Sequence, residues 1–191
     1  MNRRHLLGSS AALGVLGTLG GLSGCASVVP SSARVVVVGG GYGGATAAKY
    51  VRLFSDYRID VVLVEPNAAF ISCPISNLVI GGSKTIADVT TSYEKLQSKH
   101  GVNVVRDSVS AVDAAKKTVT LASGSTIRYD KLVLSPGIEL MLNSIEGLQA
   151  ASASGQVLQA WKAGPETVAL RKQLEQMRDG GVYAIAIPEA P

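Results

Sequence analysis

The chain has 191 residues, 47% of them hydrophobic and 17% charged, with a formal net charge of +4. That length suffices for one sizeable core. The balance, which falls to +2 without Arg3 and Arg4, excludes a basic nucleic-acid-binding surface, and no C-x-x-C-H motif is present to attach a haem.

Arg3-Arg4 stand ahead of an apolar run from Leu6 to Leu22 that contains Gly8, Gly14, Gly17, Gly20 and Gly21 and no acidic residue. The run is too short and glycine-diluted for a membrane span, and it reads as a twin-arginine export signal over residues 1–24. That route delivers proteins already folded, which suits a protein that loads a cofactor before export, and it implies a periplasmic location. Leu22-Ser23-Gly24-Cys25 matches a lipobox whose cysteine is acylated after cleavage, which would anchor the protein to a membrane by a lipid. Small residues that fill any cleavage region give the same pattern by chance, and both readings stand. With Cys25 removed or acylated, only Cys73 remains and no intramolecular disulfide is possible. Residues 29–33 make a short tether.

Val35-Val36-Val37-Val38 predicts a buried parallel strand. Gly39, Gly41 and Gly44 follow as G-x-G-x-x-G, and a small-residue run from Gly43 to Phe54 predicts a helix. In this motif the first glycine allows the tight turn, the second lets backbone approach a pyrophosphate, and the third lets helix and strand pack closely. The helix N-terminus then offers free N–H groups and the positive end of its dipole to the phosphates. No Gly-Lys-Ser/Thr follows, which excludes a nucleoside-triphosphatase loop. Ile59 to Val64 predicts a second strand, ended by Glu65 and Pro66. Glu65 lies 21 residues past Gly44, close to the expected spacing of about 20 for the carboxylate that accepts from the adenosine ribose hydroxyls. A surface acid at a strand end is the alternative; the pairing with the glycine turn favours the dinucleotide.

A long irregular loop is expected over Asn67 to Lys84, carrying Phe70, Cys73, Pro74 and Gly81-Gly82, and loops of that length are usually functional. A helix is expected from Thr91 to Lys99 and a short strand from Val102 to Val105. From Val109 to Arg128 the residues alternate between turns at Lys116-Lys117 and Ser123-Gly124, which predicts an antiparallel meander. Leu132-Val133-Leu134 returns to a buried parallel strand ending at Ser135-Pro136-Gly137. A meander inserted between parallel strands points to a flavin-binding rather than a plain nicotinamide domain. Gly164 to Arg178 predicts an amphipathic helix with Val168, Leu170, Leu174 and Met177, ended by Gly180-Gly181. Val182 to Ile187 predicts a buried strand stopped by Pro188, the first strand of a second domain. The fold class is therefore α/β: a Rossmann-like FAD-binding domain over residues 34–160, with a parallel sheet and an inserted meander. Residues 161–191 are read as the helix and first strand of a second, incomplete dinucleotide-binding domain. No internal repeat is visible.

Several segments together resemble the flavoprotein subunit of flavocytochrome c sulfide dehydrogenase, a member of the two-dinucleotide-binding flavoproteins. They are residues 35–50, Val64-Glu65-Pro66-Asn67, residues 73–82, Ser135-Pro136-Gly137-Ile138-Glu139-Leu140 and Ala160-Trp161-Lys162-Ala163-Gly164. The resemblance implies FAD held by Gly39, Gly41, Tyr42, Gly43, Gly44, Glu65, Pro66, Val109, Pro136 and Gly137, and attached covalently through Cys73 by a thioether to the flavin 8α-methyl group. It implies sulfide as substrate and a separate c-type cytochrome subunit as electron acceptor. It implies no metal. The redox cystine of the family has no counterpart here, so no catalytic residue is assigned, and the chain reads as a truncated frame or a fragment. Two other readings stay open: a non-catalytic FAD-binding remnant, and a related quinone- or NAD(P)H-linked flavoprotein that shares the glycine turn and Glu65. Cys73 and the twin arginine favour the sulfide branch.

Overall fold

The computed structural model describes residues 33–186. The twin-arginine segment, Cys25 and Ile187 lie outside the described residues.

The described residues form one compact unit. Its centre is a parallel sheet of four strands: β1 (Arg34–Val38), β2 (Asp60–Val64), β5 (Asn103–Val105) and β9 (Lys131–Leu134), in the order β5-β2-β1-β9. Val36 pairs with Val62 on one side and with Leu132 on the other. Both faces of the sheet are covered, which is why β1 and β2 read as unbroken apolar runs rather than as alternation. On one face Val35, Val37, Val61 and Leu63 pack against Ala48, Tyr93 and Val102. On the other, Val36, Val62 and Val64 pack against Val119 and Leu121.

Helix α1 (Tyr42–Phe54) covers the first face. Ala48 is fully buried there, and its single methyl lets helix and sheet approach closely. Arg52 stands in the last turn of α1, where it complements the helix dipole, and it does more. Its guanidinium donates to the carbonyls of His100 at 3.0 Å and Tyr57 at 2.9 Å, and to that of Ile59, which ties the end of α1 to the start of β2 and to the end of the helix Glu94–His100. The second face is covered by the meander, β6 (Val109–Asp113), β7 (Thr118–Leu121) and β8 (Thr126–Arg128), an antiparallel sheet in that order. The alternation of β7 is why it sits on one face only: Val119 and Leu121 point to the core and Thr118 and Thr120 do not.

Three expectations are corrected. The stretch expected as an irregular loop contains β3 (Ala69–Ile71) and a single helical turn, α2 (Asn77–Ile80). The helix expected from Thr91 begins later, as α3 (Glu94–His100), because Thr90–Ser92 is strand β4, paired antiparallel with β3. The β-branched threonines find a ladder partner about twenty residues upstream, and pairing overrides local helical spacing. Residues 182–186 form no strand and are exposed, Val182 at 93%. An apolar run without a strand beside it leaves its backbone groups for water, so it does not become a buried strand.

Two helices follow the sheet. α4 (Leu148–Ala153) was not anticipated. α5 (Pro165–Gln176) corresponds to the predicted amphipathic helix, shorter by two residues at its C-terminal end, with Leu170 buried. It packs against α2, and Arg171 reaches the Ile80 carbonyl at 3.4 Å. Residues assigned by sequence to a second domain therefore brace the segment that carries Cys73.

Candidate functional site

The carboxyl ends of β1, β2 and β9 converge, and the glycine turn, Glu65 and Ser135–Gly137 meet there. In open α/β sheets this end of the strands is where ligands bind. Gly39 leaves β1 at φ +93°, a conformation that favours glycine. Its N–H donates to the Val64 carbonyl at 2.9 Å, and a Cβ on it would lie 2.0 Å from the Ser135 carbonyl oxygen. A Cβ on Gly44 would lie 1.8 Å from the Gly39 carbonyl oxygen. These two glycines are demanded by the chain's own packing. Gly41 is different: a Cβ there would meet only a Phe70 ring carbon at 3.9 Å, so its outer side is open to a ligand backbone. On Gly43 a Cβ would crowd the Ser135 hydroxyl at 2.8 Å.

No side chain caps the N-terminus of α1, and no acidic residue stands in its first turn. Its leading N–H groups are thus unspent, at the positive end of the helix dipole. That combination accepts a phosphate.

Glu65 ends β2 and is 8% exposed. Its Oε2 accepts from the Gly40 N–H at 2.7 Å. Its Oε1 accepts from the Asn67 N–H at 2.8 Å and from Asn67 Nδ2 at 2.7 Å. Pro66 between them is exposed and supplies no N–H. The Glu65 N–H donates to the Val105 carbonyl at 3.0 Å, which draws the end of β5 beside it.

Gly40 and Tyr93 are the site residues to which sequence reading gave no role. A Cβ on Gly40 would lie 2.5 Å from the Tyr93 hydroxyl and 2.9 Å from Glu65 Cγ. Tyr93 is buried between sheet and α1, and its hydroxyl donates to the Gly40 carbonyl at 3.0 Å. Burial, with the Glu65 charge second, pushes its pKa up to about 12. The only sequence signal was Gly40 itself, the middle of three consecutive glycines, which a G-x-G-x-x-G pattern does not require.

Tyr42 is half-exposed on α1, its hydroxyl 2.5 Å from Ser72 Oγ and its ring edge-on to Phe70 at 4.7 Å. Together they wall a cavity of about 460 Å³ behind the glycine turn, shared with Thr46, Tyr93 and Lys95. Cys73 follows Ser72 and is an exposed free thiol. Its carbonyl accepts from the Ser76 N–H at 3.0 Å and the Ser76 hydroxyl at 2.8 Å, a turn that presents the thiol outward. Cys73 makes no hydrogen bond to the glycine turn; it connects through Ser72 and Tyr42. Val109, on β6, pairs with Leu121 on β7, and its side chain packs into the core under the meander. Asp107 before it holds the loop through the N–H groups of Ser108 and Ser123 at 2.7 and 3.3 Å. The Ser123 hydroxyl first, and then the Ser108 N–H, hold its carboxyl below its ordinary value. Pro136 lies against Gly39, and Gly137 has φ +81° with open space around it. Among the described residues no cluster of His, Cys, Asp and Glu is arranged to hold a metal, and no helix is long and apolar enough to cross a membrane.

An uncapped helix start, an open Gly41 and a buried carboxylate at the next strand end fit the ADP half of FAD.

Residues 33–176 match the family described as pyridine nucleotide-disulphide oxidoreductase. Over 46 residues the chain is 63% identical to the flavoprotein chain of sulfide dehydrogenase (flavocytochrome c) from Chlorobaculum thiosulfatiphilum, a match that covers 24% of this chain and 94% of that one. Over 116 residues it is 34% identical to the mitochondrial sulfide:quinone oxidoreductase of Dictyostelium discoideum, covering 61% of this chain and 25% of that protein. The crystal structure of the sulfide:quinone oxidoreductase from Aquifex aeolicus superposes with a TM-score of 0.64 at 26% identity, over 75% of this chain and 32% of that one. The chain thus spans about a quarter to a third of the length of the quinone-linked relatives it matches.

Proposed function

The chain belongs to the pyridine nucleotide-disulphide oxidoreductase family, a family of FAD-dependent oxidoreductases, and on that premise we propose that it is the FAD-binding part of an exported, sulfide-oxidising flavoprotein that delivers electrons to a c-type cytochrome. The observation that carries this reading is the pairing of the open, uncapped α1 start with Glu65 at the neighbouring strand end. The α1 N–H groups would take the pyrophosphate, Glu65 the adenosine ribose, and the Ser135–Gly137 backbone the flavin side. The bound flavin would supply two-electron redox chemistry that side chains lack.

The sulfide branch is supported by the 63% identity to a sulfide dehydrogenase flavoprotein chain and by the exposed Cys73 thiol. Cys73 is the proposed thioether site, and a covalent tether suits a cofactor carried outside the cytoplasm. The likeness to the Dictyostelium sulfide:quinone oxidoreductase favours a second reading, in which electrons pass to a quinone.

The covalent bond separates the two. Protein from a flavin-loading host is expected to stay yellow after acid precipitation, and Cys73→Ala to release the colour into the supernatant. Wild-type protein that gives up all its flavin on precipitation would overturn the attachment and move the assignment to the quinone-linked reading.

A further inference from the structure

We propose that Glu65 accepts a hydrogen bond from only one hydroxyl of the adenosine ribose, and that Asn67 imposes this selectivity. The inference rests on the dinucleotide reading of the site. An ionised carboxylate has about four lone-pair positions, two on each oxygen. Asn67 fills both on Oε1, one with its backbone N–H at 2.8 Å and one with Nδ2 at 2.7 Å. Gly40 fills one on Oε2 at 2.7 Å. A single acceptor position is left, and it is on Oε2. The amide orientation of Asn67 is not arbitrary here. A carboxylate only accepts, so the group facing it must be the NH₂.

The local sequence explains the arrangement. Pro66 has no N–H and a fixed φ, so Asn67 carries the next backbone donor after Glu65. The chain turns back at Asn67 and lays backbone and side-chain donors on the same oxygen. A smaller residue at position 67 would keep the backbone bond and return one lone pair of Oε1 to solvent or to ligand. Asn67 is exposed and buried against nothing, so its side chain acts on the ligand through Glu65. It is a positioning residue.

ADP is the probe, compared with 2′-deoxy-ADP and 3′-deoxy-ADP by calorimetry on flavin-free chains that all carry Cys73→Ala, so that no attached flavin fills the site and "wild type" refers to position 67. In the wild type one analogue is expected to bind about tenfold more weakly than ADP, the size of one hydrogen bond to a charged group, and the other to bind as ADP does. In Asn67→Ala both analogues are expected to bind more weakly than ADP, because Oε1 now serves the second hydroxyl. An unchanged melting temperature shows that the fold is intact. Equal losses for both analogues in the wild type, or the same one-sided pattern in Asn67→Ala, would overturn the proposal while leaving the dinucleotide site standing. No binding of ADP by the wild type would overturn the dinucleotide reading itself, and the proposal with it.

Discussion

The Tyr93 hydroxyl donates to the Gly40 carbonyl at 3.0 Å, across 53 residues of chain, while the Gly40 N–H is held by Glu65 at 2.7 Å. The middle of the glycine turn is therefore pinned from behind at both of its polar groups. Only Gly41, one residue on, is left open toward a ligand. The chain's own hydrogen bonds hold the turn, and a preorganised site loses less entropy on binding.

Gly40→Ala tests that clamp. The added methyl would sit 2.5 Å from the Tyr93 hydroxyl and 2.9 Å from Glu65 Cγ, neither of which is the free end of a flexible chain. Overpacking of this kind costs about 1–3 kcal/mol, and the shifted turn is expected to lose ADP affinity as well. Gly137→Ala, with open space around it, adds strain at φ +81° but no clash. Urea unfolding and ADP titration of both variants make the comparison. Unaltered ADP affinity in Gly40→Ala would show that the clamp does not set the geometry of the turn.

Tyr93 makes stability fall at high pH. Its folded pKa is raised to about 12 from an ordinary value of 10.0, so the folded state holds this proton more tightly than the unfolded state does. Its contribution is complete below about pH 10 and declines as pH rises from there to about 12. Tyr93→Phe is expected to be less stable at neutral pH, because the Gly40 carbonyl loses its donor, and to show a flatter decline between pH 10 and 12. Denaturant midpoints across that range provide the check. Parallel curves for the two proteins would rule the hydroxyl out as the source.

The sheet core is expected to tolerate no truncation. Leu63 is fully buried between β1, β5 and α1, and Leu63→Ala should cost about 2–5 kcal/mol. Val157→Ala, at a half-exposed position, should stay within about 0.5 kcal/mol. Chemical denaturation measures both.

Export is tested at the N-terminus. Replacing Arg3 and Arg4 with lysine conserves charge and removes the twin-arginine signature. The precursor is then expected to stay in the cytoplasm, where cell fractionation and blotting would find it. Undiminished delivery to the periplasm would overturn the route.

The amino-acid sequence by itself determined the frame of the fold and half of the site. Val35–Val38 followed by the glycine turn, Val61–Val64 followed by Glu65, and the alternation through Val119 and Leu121 are local patterns. Each strand's burial on two faces or on one is written in its own spacing, so β1, β2 and the meander were legible without a neighbour in view. What the tertiary structure alone decided depends on partners far apart in the chain. Thr90–Ser92 is strand and not helix because Ala69–Ile71 lies beside it, and residues 182–186 are not strand because no strand among the described residues does. Gly40 has to be glycine because Tyr93 is folded against it, and Glu65 keeps one lone pair because Asn67 turns back onto its other oxygen. Hydrogen bonds are short-ranged and directional, so whether a group is spent or free is settled only when the chain has brought its partner within 3 Å or so.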